Sequence, residues 1–187
     1  SMLGVAFLAG LKTSSPSMKL SVSQYFNKQS LMDYRLTSTL GFTAEDVYAA
    51  SNLNYVSHAE GTYIIDAFMD AGESEYVTKI HAAGGSLNQP VILDGRLPQS
   101  ADECAIEQIS TLDIKIGDTL SLRTSDSNYS EFLSDGKFTV VGIIQSPEYI
   151  SLDRGTSTLG SGKVDFYLYL SSDAFKSDIY TDILLTI

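Results

Sequence analysis

One ordered stretch, residues 92–122, constrains the fold more than any other part of the chain. It reads "ILDGRLPQSADECAIEQISTLDIKIGDTLSL". A β-favouring segment is followed by a Gly-Arg-Leu-Pro turn and by a second short apolar segment. A Lys-Ile-Gly-Asp turn then precedes a third β-favouring segment. Short apolar runs that alternate with turn residues are typical of a small β-rich unit. The stretch contains no recognisable catalytic pattern, so it predicts a structural module.

The segments before this stretch predict a strand, a helix and a hairpin. Residues 32–39 alternate between apolar and polar side chains, which favours a strand. Thr43 is expected to cap a helix whose first turn is acidic. Residues 55–70 and 74–83 predict two long strands of one hairpin. The expected buried stripe of the helix consists of Val47, Ala50 and Leu53.

The segments after the stretch return to the earlier pattern. Residues 119–124 and 137–145 predict strands, and residues 165–187 predict a strand, a short helix capped by Ser171 or Ser172, and a final strand. We therefore predict an α+β fold in which a mixed α/β subdomain carries an inserted small β-rich subdomain. The predicted parts are an α/β half at 31–83 plus 163–187, an inserted subdomain at 88–150 and a loop at 146–162, all within one domain at 16–187.

The charge balance excludes several classes of partner. The 187 residues contain 12 Lys and Arg against 23 Asp and Glu, a formal net charge of −11. Nucleic-acid binding needs a basic footprint, and an anionic lipid surface repels an acidic chain. The single cysteine, Cys104, excludes an intrachain disulfide and is expected to be a small buried side chain.

No group of residues carries a convincing chemistry, so we assign no catalytic, cofactor-binding or metal-binding residue and no cofactor. His58 and His81 are expected on neighbouring strands of the hairpin, but two histidines without a third ligand make a weak zinc site. Phosphate-loop, calcium-loop and nucleophile-elbow patterns fail on residue spacing. If a ligand is bound, the long polar loops at 146–162 and 124–136 are the expected contacts. They carry Tyr129, Tyr149 and Arg154.

The N-terminal segment contains an uncharged run, "LGVAFLAGL", at residues 3–11. The run is shorter than the ~20 residues that span a bilayer. Two interpretations stay open: the first turns of a buried helix, or the outer end of a transmembrane helix. The second is favoured because small residues interspersed with large apolar ones are common in membrane helices. Residues 3–15 would then be the end of that helix and its exit to water.

The order of these motifs resembles the extracytoplasmic domain of FtsX-like, MacB-type permeases of ABC transporters, over residues 3–187. The resemblance rests on the opening run, the strand before a Gly-Phe-Thr-Ala-Glu-Asp helix start, and four later segments. These segments are "GRLPQSADECAIEQ", "LDIKIGDTLSL", "FTVVGIIQSPE" and "DFYLYLSSDAF". Each is common alone, and their order and spacing together carry the resemblance.

The resemblance implies a non-catalytic domain on the outer side of a cell membrane, which couples ATPase-driven motion to export or to an outside partner. ATP hydrolysis would belong to a separate cytoplasmic ABC ATPase subunit. Further implied partners are a second copy or a paired permease, and an extracellular peptide, lipoprotein or cell-wall protein, with no nucleic acid. Two alternatives stay open: a secreted binding module of the same fold, and a small β-barrel enzyme built around Asp118.

Overall fold

The structure is a computed structural model that describes residues 28–71, 74–109, 111–123, 133, 136–149 and 154–187. The fully described elements are ten strands, an α-helix and a 3-10 helix, arranged around two sheets. In chain order they are β1 (Tyr34–Phe42), α1 (Ala44–Ser51), β2 (His58–Thr62), β3 (Ile64–Ala71), β4 (Ser74–Ala83), β5 (Val91–Gly95), β6 (Glu103–Glu107), β7 (Thr119–Arg123), β8 (Lys137–Gln145), β9 (Phe166–Ser171), the 3-10 helix (Ser172–Ala174) and β10 (Tyr180–Thr186).

The smaller sheet has the strand order β1–β10–β2, with both pairs antiparallel. Helix α1 covers one face, where Ala50 packs with Ile183 and Leu185 of β10. The helix begins where the sequence predicts, because Thr43 forms a capping box with Asp46. The predicted stripe is wrong at Leu53, which is 57% exposed because the helix ends at Ser51.

The larger sheet has the order β5–β8–β6–β9–β4–β3–β7, and it closes on itself. Strand β7 pairs with β3 on one side and with the first residues of β8 on the other. Six strands therefore form a ring, and β5 lies outside the ring on the last residues of β8. Strand β8 pairs with three strands, β5, β6 and β7. It can do so because it is nine residues long and its pairing with β6 shifts register between Cys104 and Ala105.

The closed sheet is filled by alternate side chains of its strands. Strand β9, "FYLYLS", is buried along its whole length. Phe166, Leu168 and Leu170 point into the ring with the main core, and Tyr167 and Tyr169 belong to a second cluster. Because successive side chains of a strand face opposite sides, the two tyrosines lie on the outer face of the ring.

Two predictions for residues 55–83 are corrected. The long strand predicted across 55–70 is interrupted at Tyr63, so β2 belongs to the smaller sheet and β3 to the closed sheet. The Tyr63 ring stacks on Phe175 at 4.7 Å, which holds the chain in the bend between the sheets. His58 and His81 are consequently in different sheets, and they do not face each other across a hairpin. The hairpin itself, β3 with β4, is confirmed.

The described chain is mostly strand with one full α-helix, which agrees with an α+β fold. The strands of the predicted inserted subdomain share a continuous sheet with β3, β4 and β9. The division into a half at 31–83 plus 163–187 and an insertion at 88–150 stays a prediction. Among the described residues, no helix has the length and apolar character of a membrane span. The membrane helix end predicted at 3–15 lies outside the described residues.

Candidate functional site

A polar cluster lies at the junction of the two sheets, on the outer face of the ring. Strand β4 contributes His81 and β9 contributes Tyr169, which are direct neighbours in the parallel pairing of these strands. The segment after β8 contributes Glu148, and Arg35 of β1 reaches it from the smaller sheet. The cluster therefore joins side chains that are far apart in the chain and carried by different sheets.

His81 is at the centre of this cluster and is almost completely buried. Its ring stacks on Tyr169 at a centroid distance of 5.0 Å, and its Nε2 lies 2.8 Å from the hydroxyl oxygen of Tyr149. Burial lowers the pKa of His81 to about 3, and the positive charges of Lys79 and Arg35 add to that effect. The imidazole is therefore neutral at physiological pH.

Glu148 connects His81 to the smaller sheet. Its Oε1 accepts a long hydrogen bond of 3.5 Å from Arg35, and its Oε2 lies 3.6 Å from His81 Nδ1. Burial raises the pKa of Glu148, and the nearby Arg35 charge opposes that rise. Arg35 also lies 3.9 Å from Asp182 of β10, whose carboxylate accepts hydrogen bonds from two threonine hydroxyls.

The tyrosines of β9 hold the segment after β8 against the ring. The backbone nitrogen of Ser146 donates a 2.9 Å hydrogen bond to the Tyr167 hydroxyl, and the Ser146 hydroxyl lies 3.0 Å from that of Tyr169. The Tyr149 ring stacks on Tyr167 at 4.4 Å. Because burial raises the pKa of Tyr149 and Tyr169, both hydroxyls stay protonated.

A cavity of about 600 Å³ opens at this junction, and we call it the junction cavity. Its lining combines positively charged and apolar side chains with one carboxylate. The lining residues are Leu31, Met32, Arg35, Lys79, Pro147, Glu148, Tyr149, Arg154, Gly155 and Thr156. A cavity of this size with a few converging polar groups is the usual form of a small-molecule site.

A second, much smaller cavity of about 20 Å³ is also lined by Glu148. Two buried side-chain atoms without a hydrogen-bond partner in the described protein, Asn88 Nδ2 and Glu148 Oε2, belong to residues that line it. Nearby, Glu60 of β2 accepts hydrogen bonds from the backbone nitrogens of Ser86 and Leu87. Burial opposes ionisation of Glu60, but the hydrogen bond from the Ser86 hydroxyl, these two backbone hydrogen bonds and one from His58 together outweigh it and lower the pKa of Glu60. The loop after β4 is thereby fastened to the smaller sheet.

The loop residues singled out from the sequence have different surroundings. Tyr149 lines the junction cavity, and its ring is stacked on Tyr167. Arg154 lines it as well and forms a two-point ion pair with Glu107 of β6, with Nε 2.7 Å from Oε2. Tyr129 and most of 124–136 lie outside the described residues, so ligand contact by that loop stays a prediction.

The other sequence candidates do not converge on this cluster. Cys104 is fully buried inside the ring, and burial raises the pKa of its thiol to about 12, so it is unsuited to nucleophilic chemistry. Asp118 accepts a 2.8 Å hydrogen bond from the Lys115 backbone nitrogen and so stabilises a turn. Within the described residues, no three His, Cys, Asp or Glu side chains are grouped to hold a metal.

Sequence reasoning missed Arg35 and Glu148. Arg35 is the one charge in a strand of apolar and hydroxyl residues, and Glu148 follows a proline in a loop segment. Neither pattern distinguishes a junction residue from a solvated surface residue. The signal lies in their pairing across 113 positions of sequence, which a single sequence does not reveal.

Comparisons with known proteins found similar solved structures. No family model matches the chain. The extracellular domain of the noncanonic ABC-type transporter YknZ from Gram-positive bacteria is similar at 11% identity and a TM-score of 0.46, over 80% of this chain and 74% of that one. The periplasmic region of MacB from Actinobacillus actinomycetemcomitans is similar at 11% identity and a TM-score of 0.46, over 81% of this chain and 66% of that one.

The first of these structures is the extracellular domain of an ABC-type transporter, and the second is the periplasmic region of MacB. The chain is similar to the extracellular domain of YknZ and to the periplasmic region of MacB, at the identities and TM-scores given above.

Proposed function

We propose that this chain is the extracytoplasmic domain of an ABC transporter permease, held at the outer side of a cell membrane. There it would couple ATPase-driven motion to export or to an outside partner, without catalysing a reaction of its own. The observation that carries the proposal is the position of β1 and β10, which pair side by side in the smaller sheet.

The first and last described strands lie side by side. The backbone nitrogen of Asp33 donates to the Leu185 carbonyl at 2.9 Å, and the backbone nitrogen of Ile187 donates to the Asp33 carboxylate at 2.9 Å. A domain carried between two membrane-spanning segments needs both connections at the same end. The pairing of β1 with β10 supplies this geometry and so supports the proposal.

The same strands offer a path for motion from the smaller sheet into the ring. Tyr63 is the single residue between β2 and β3, and its hydroxyl donates to the Ser177 carbonyl. One residue further on, the Ile64 backbone nitrogen donates a 2.7 Å hydrogen bond to Thr181 of β10. Together with the contact between Arg35 and Glu148, these bonds join β10 and β1 to the closed sheet. A displacement of the paired strands would therefore move the ring with them.

The partners follow from this role. The cytoplasmic ABC ATPase subunit would bind and hydrolyse ATP and would act on this domain through the full-length permease. A second copy or a paired permease would complete the membrane assembly. The outside partner would be a peptide, a lipoprotein or a cell-wall protein. The net charge of −11 argues against nucleic acid.

The coupling is tested in the full-length protein purified from membranes with its ATPase. A dye on Leu40→Cys, a position that is 91% exposed, reports motion of the smaller sheet when ATP is added. We expect an ATPase to co-purify and the dye signal to respond to ATP. Glu148→Gln should reduce the response of a second dye on the closed sheet while leaving ATP hydrolysis intact. The absence of any co-purifying ATPase would contradict the proposal.

One observation favours a second candidate function, a secreted binding module of the same fold. The junction cavity is large enough for a small ligand, and ligand binding does not require a membrane. The two candidates differ in where the full-length protein resides: a permease stays in the membrane fraction, whereas a secreted module appears in the medium.

A further inference from the structure

We propose that the junction cavity is a binding site for an organic carboxylate with an apolar body, and that Arg35 and Lys79 bind the carboxylate. The proposal concerns the cavity itself and does not depend on the membrane role of the chain. It rests on the charge of the lining, on the unused donors of two cations and on the apolar wall beside them.

The side chains that line the cavity include more cations than carboxylates. Three of its four charged lining residues are cationic, namely Arg35, Lys79 and Arg154, and Glu148 is the one acidic residue. The whole chain carries a net charge of −11. Each cation also contacts an acidic side chain, but Asp182, Asp66 and Glu107 are not among the lining residues, so the lining presents mainly cations to a ligand. The ligand is therefore expected to carry a negative charge.

Arg35 has donors left for such a ligand. Its closest acidic oxygens are at 3.5 Å in Glu148 and 3.9 Å in Asp182, whereas a charge-assisted hydrogen bond measures about 2.7–2.9 Å. A guanidinium carries five N–H donors in a planar fork that matches a carboxylate. The side chain is 38% exposed, so an incoming ligand can reach it.

Lys79 is the second group with donor capacity. Its ammonium lies 2.5 Å from Asp66 Oδ1, a single contact for a group with three donors. Arg154 differs, because its guanidinium is already engaged in the two-point pair with Glu107. We therefore assign carboxylate binding to Arg35 and Lys79, and to Arg154 a role in holding the wall of the cavity.

The remaining lining selects an organic anion over an inorganic one. Leu31, Met32 and Pro147 contribute apolar surface, and Tyr149 adds an aromatic ring that stacking on Tyr167 holds in place. Apolar surface next to a cation favours a ligand whose charged end is attached to an apolar body. The carboxyl end of a peptide and a fatty acid both have this chemistry.

The test is a titration of the 187-residue chain with small ligands, monitored by two-dimensional NMR at pH 7 and low salt. The probes are N-acetyl-Leu-Leu, its C-terminal amide, decanoate and inorganic phosphate. We expect the acetylated dipeptide or decanoate to shift resonances of cavity residues, and the amide to bind about tenfold more weakly or worse, because it lacks the charge that Arg35 recognises. Tighter binding of the dipeptide would indicate a peptide end, and tighter binding of decanoate a fatty acid.

Matched variants separate the cavity from general charge effects. Arg35→Gln and Lys79→Gln should each weaken binding about tenfold or more. Arg123→Gln removes an exposed arginine paired with Asp70 outside the cavity, and it should leave binding unchanged. If Arg35→Gln lowers the folded fraction, Arg35→Met is the second variant, because methionine keeps an apolar stem of similar length without the charge. Its affinity for the carboxylate should be lowered in the same way. The proposal would be overturned if the acid and the amide bound equally, or if phosphate bound as tightly as the organic carboxylates. It would also be overturned if neither carboxylate bound at millimolar concentration, or if Arg123→Gln lost as much binding as Arg35→Gln.

Discussion

The buried histidine at the sheet junction makes the stability of the domain depend on pH in a defined direction. An unfolded histidine has a pKa of about 6.5, whereas burial lowers the folded pKa of His81 to about 3. Below pH 6.5 this histidine binds a proton in the unfolded chain but stays unprotonated in the folded chain. The stability contribution is therefore complete above pH 6.5 and is lost as the pH falls toward 3.

The size of the loss follows from the separation of the two pKa values. Each pH unit between them costs about 1.4 kcal/mol, so the domain should lose about 2 kcal/mol between pH 7.5 and pH 5.0 through His81 alone. Glu148 has the opposite effect on stability. Because its pKa is raised in the folded state, the folded chain binds this proton more readily, and acidification stabilises the fold through Glu148. The wild-type curve therefore contains both effects, and a variant is needed to isolate the histidine.

The assay is urea unfolding followed by circular dichroism at pH 7.5, 6.0 and 5.0. We expect wild type to lose about 2 kcal/mol more than His81→Gln over this range, since glutamine does not titrate. His58→Gln is the control for removing a histidine, because His58 is exposed and lies in the other sheet. Parallel stability curves for wild type and His81→Gln would refute the reasoning.

Three further substitutions test local features by the same unfolding assay. Thr43→Ala removes the capping box of α1 and should cost about 1 kcal/mol, and no loss would contradict the capping role. Glu60→Gln weakens charge-assisted hydrogen bonds to the loop after β4 and should cost about 1–3 kcal/mol, whereas a change below about 0.5 kcal/mol would argue against that attachment. Gly142→Ala places a methyl group against the Arg96 carbonyl oxygen and should destabilise the domain strongly. Gly136→Ala is the control, because a Cβ fits there, and it should be tolerated. Equal effects of the two substitutions would contradict the close approach of Gly142 to Arg96.

Local features of this fold were predictable because their causes lie within a few residues. The capping box at Thr43 needs only Asp46, three positions later. Strand β9 and the hairpin of β3 with β4 also follow from short patterns. Closure of the ring was not predictable in this way, since it depends on β7 pairing with both β3 and β8.

The interruption at Tyr63 was missed for a related reason. Residues on both sides of Tyr63 favour strands, so the sequence reads as one continuous run. What separates β2 from β3 is the packing of the Tyr63 ring on Phe175, more than a hundred positions away. The loop at 146–162 was expected to contact a ligand if one is bound. Several of its described residues line the junction cavity, and ligand contact itself stays a prediction. The pairing of Arg35 with Glu148 needed the structure.

The central claim, an outer domain of a membrane permease, is tested most directly by labelling intact cells. The full-length protein carries Leu40→Cys, and any cysteine outside the 187-residue chain is replaced. Cys104 does not interfere, because it is fully buried and burial raises its pKa to about 12. After treatment with a membrane-impermeant maleimide, the account predicts labelled protein in the membrane fraction. Labelling that requires cell lysis, or labelled protein found in the medium, would contradict it.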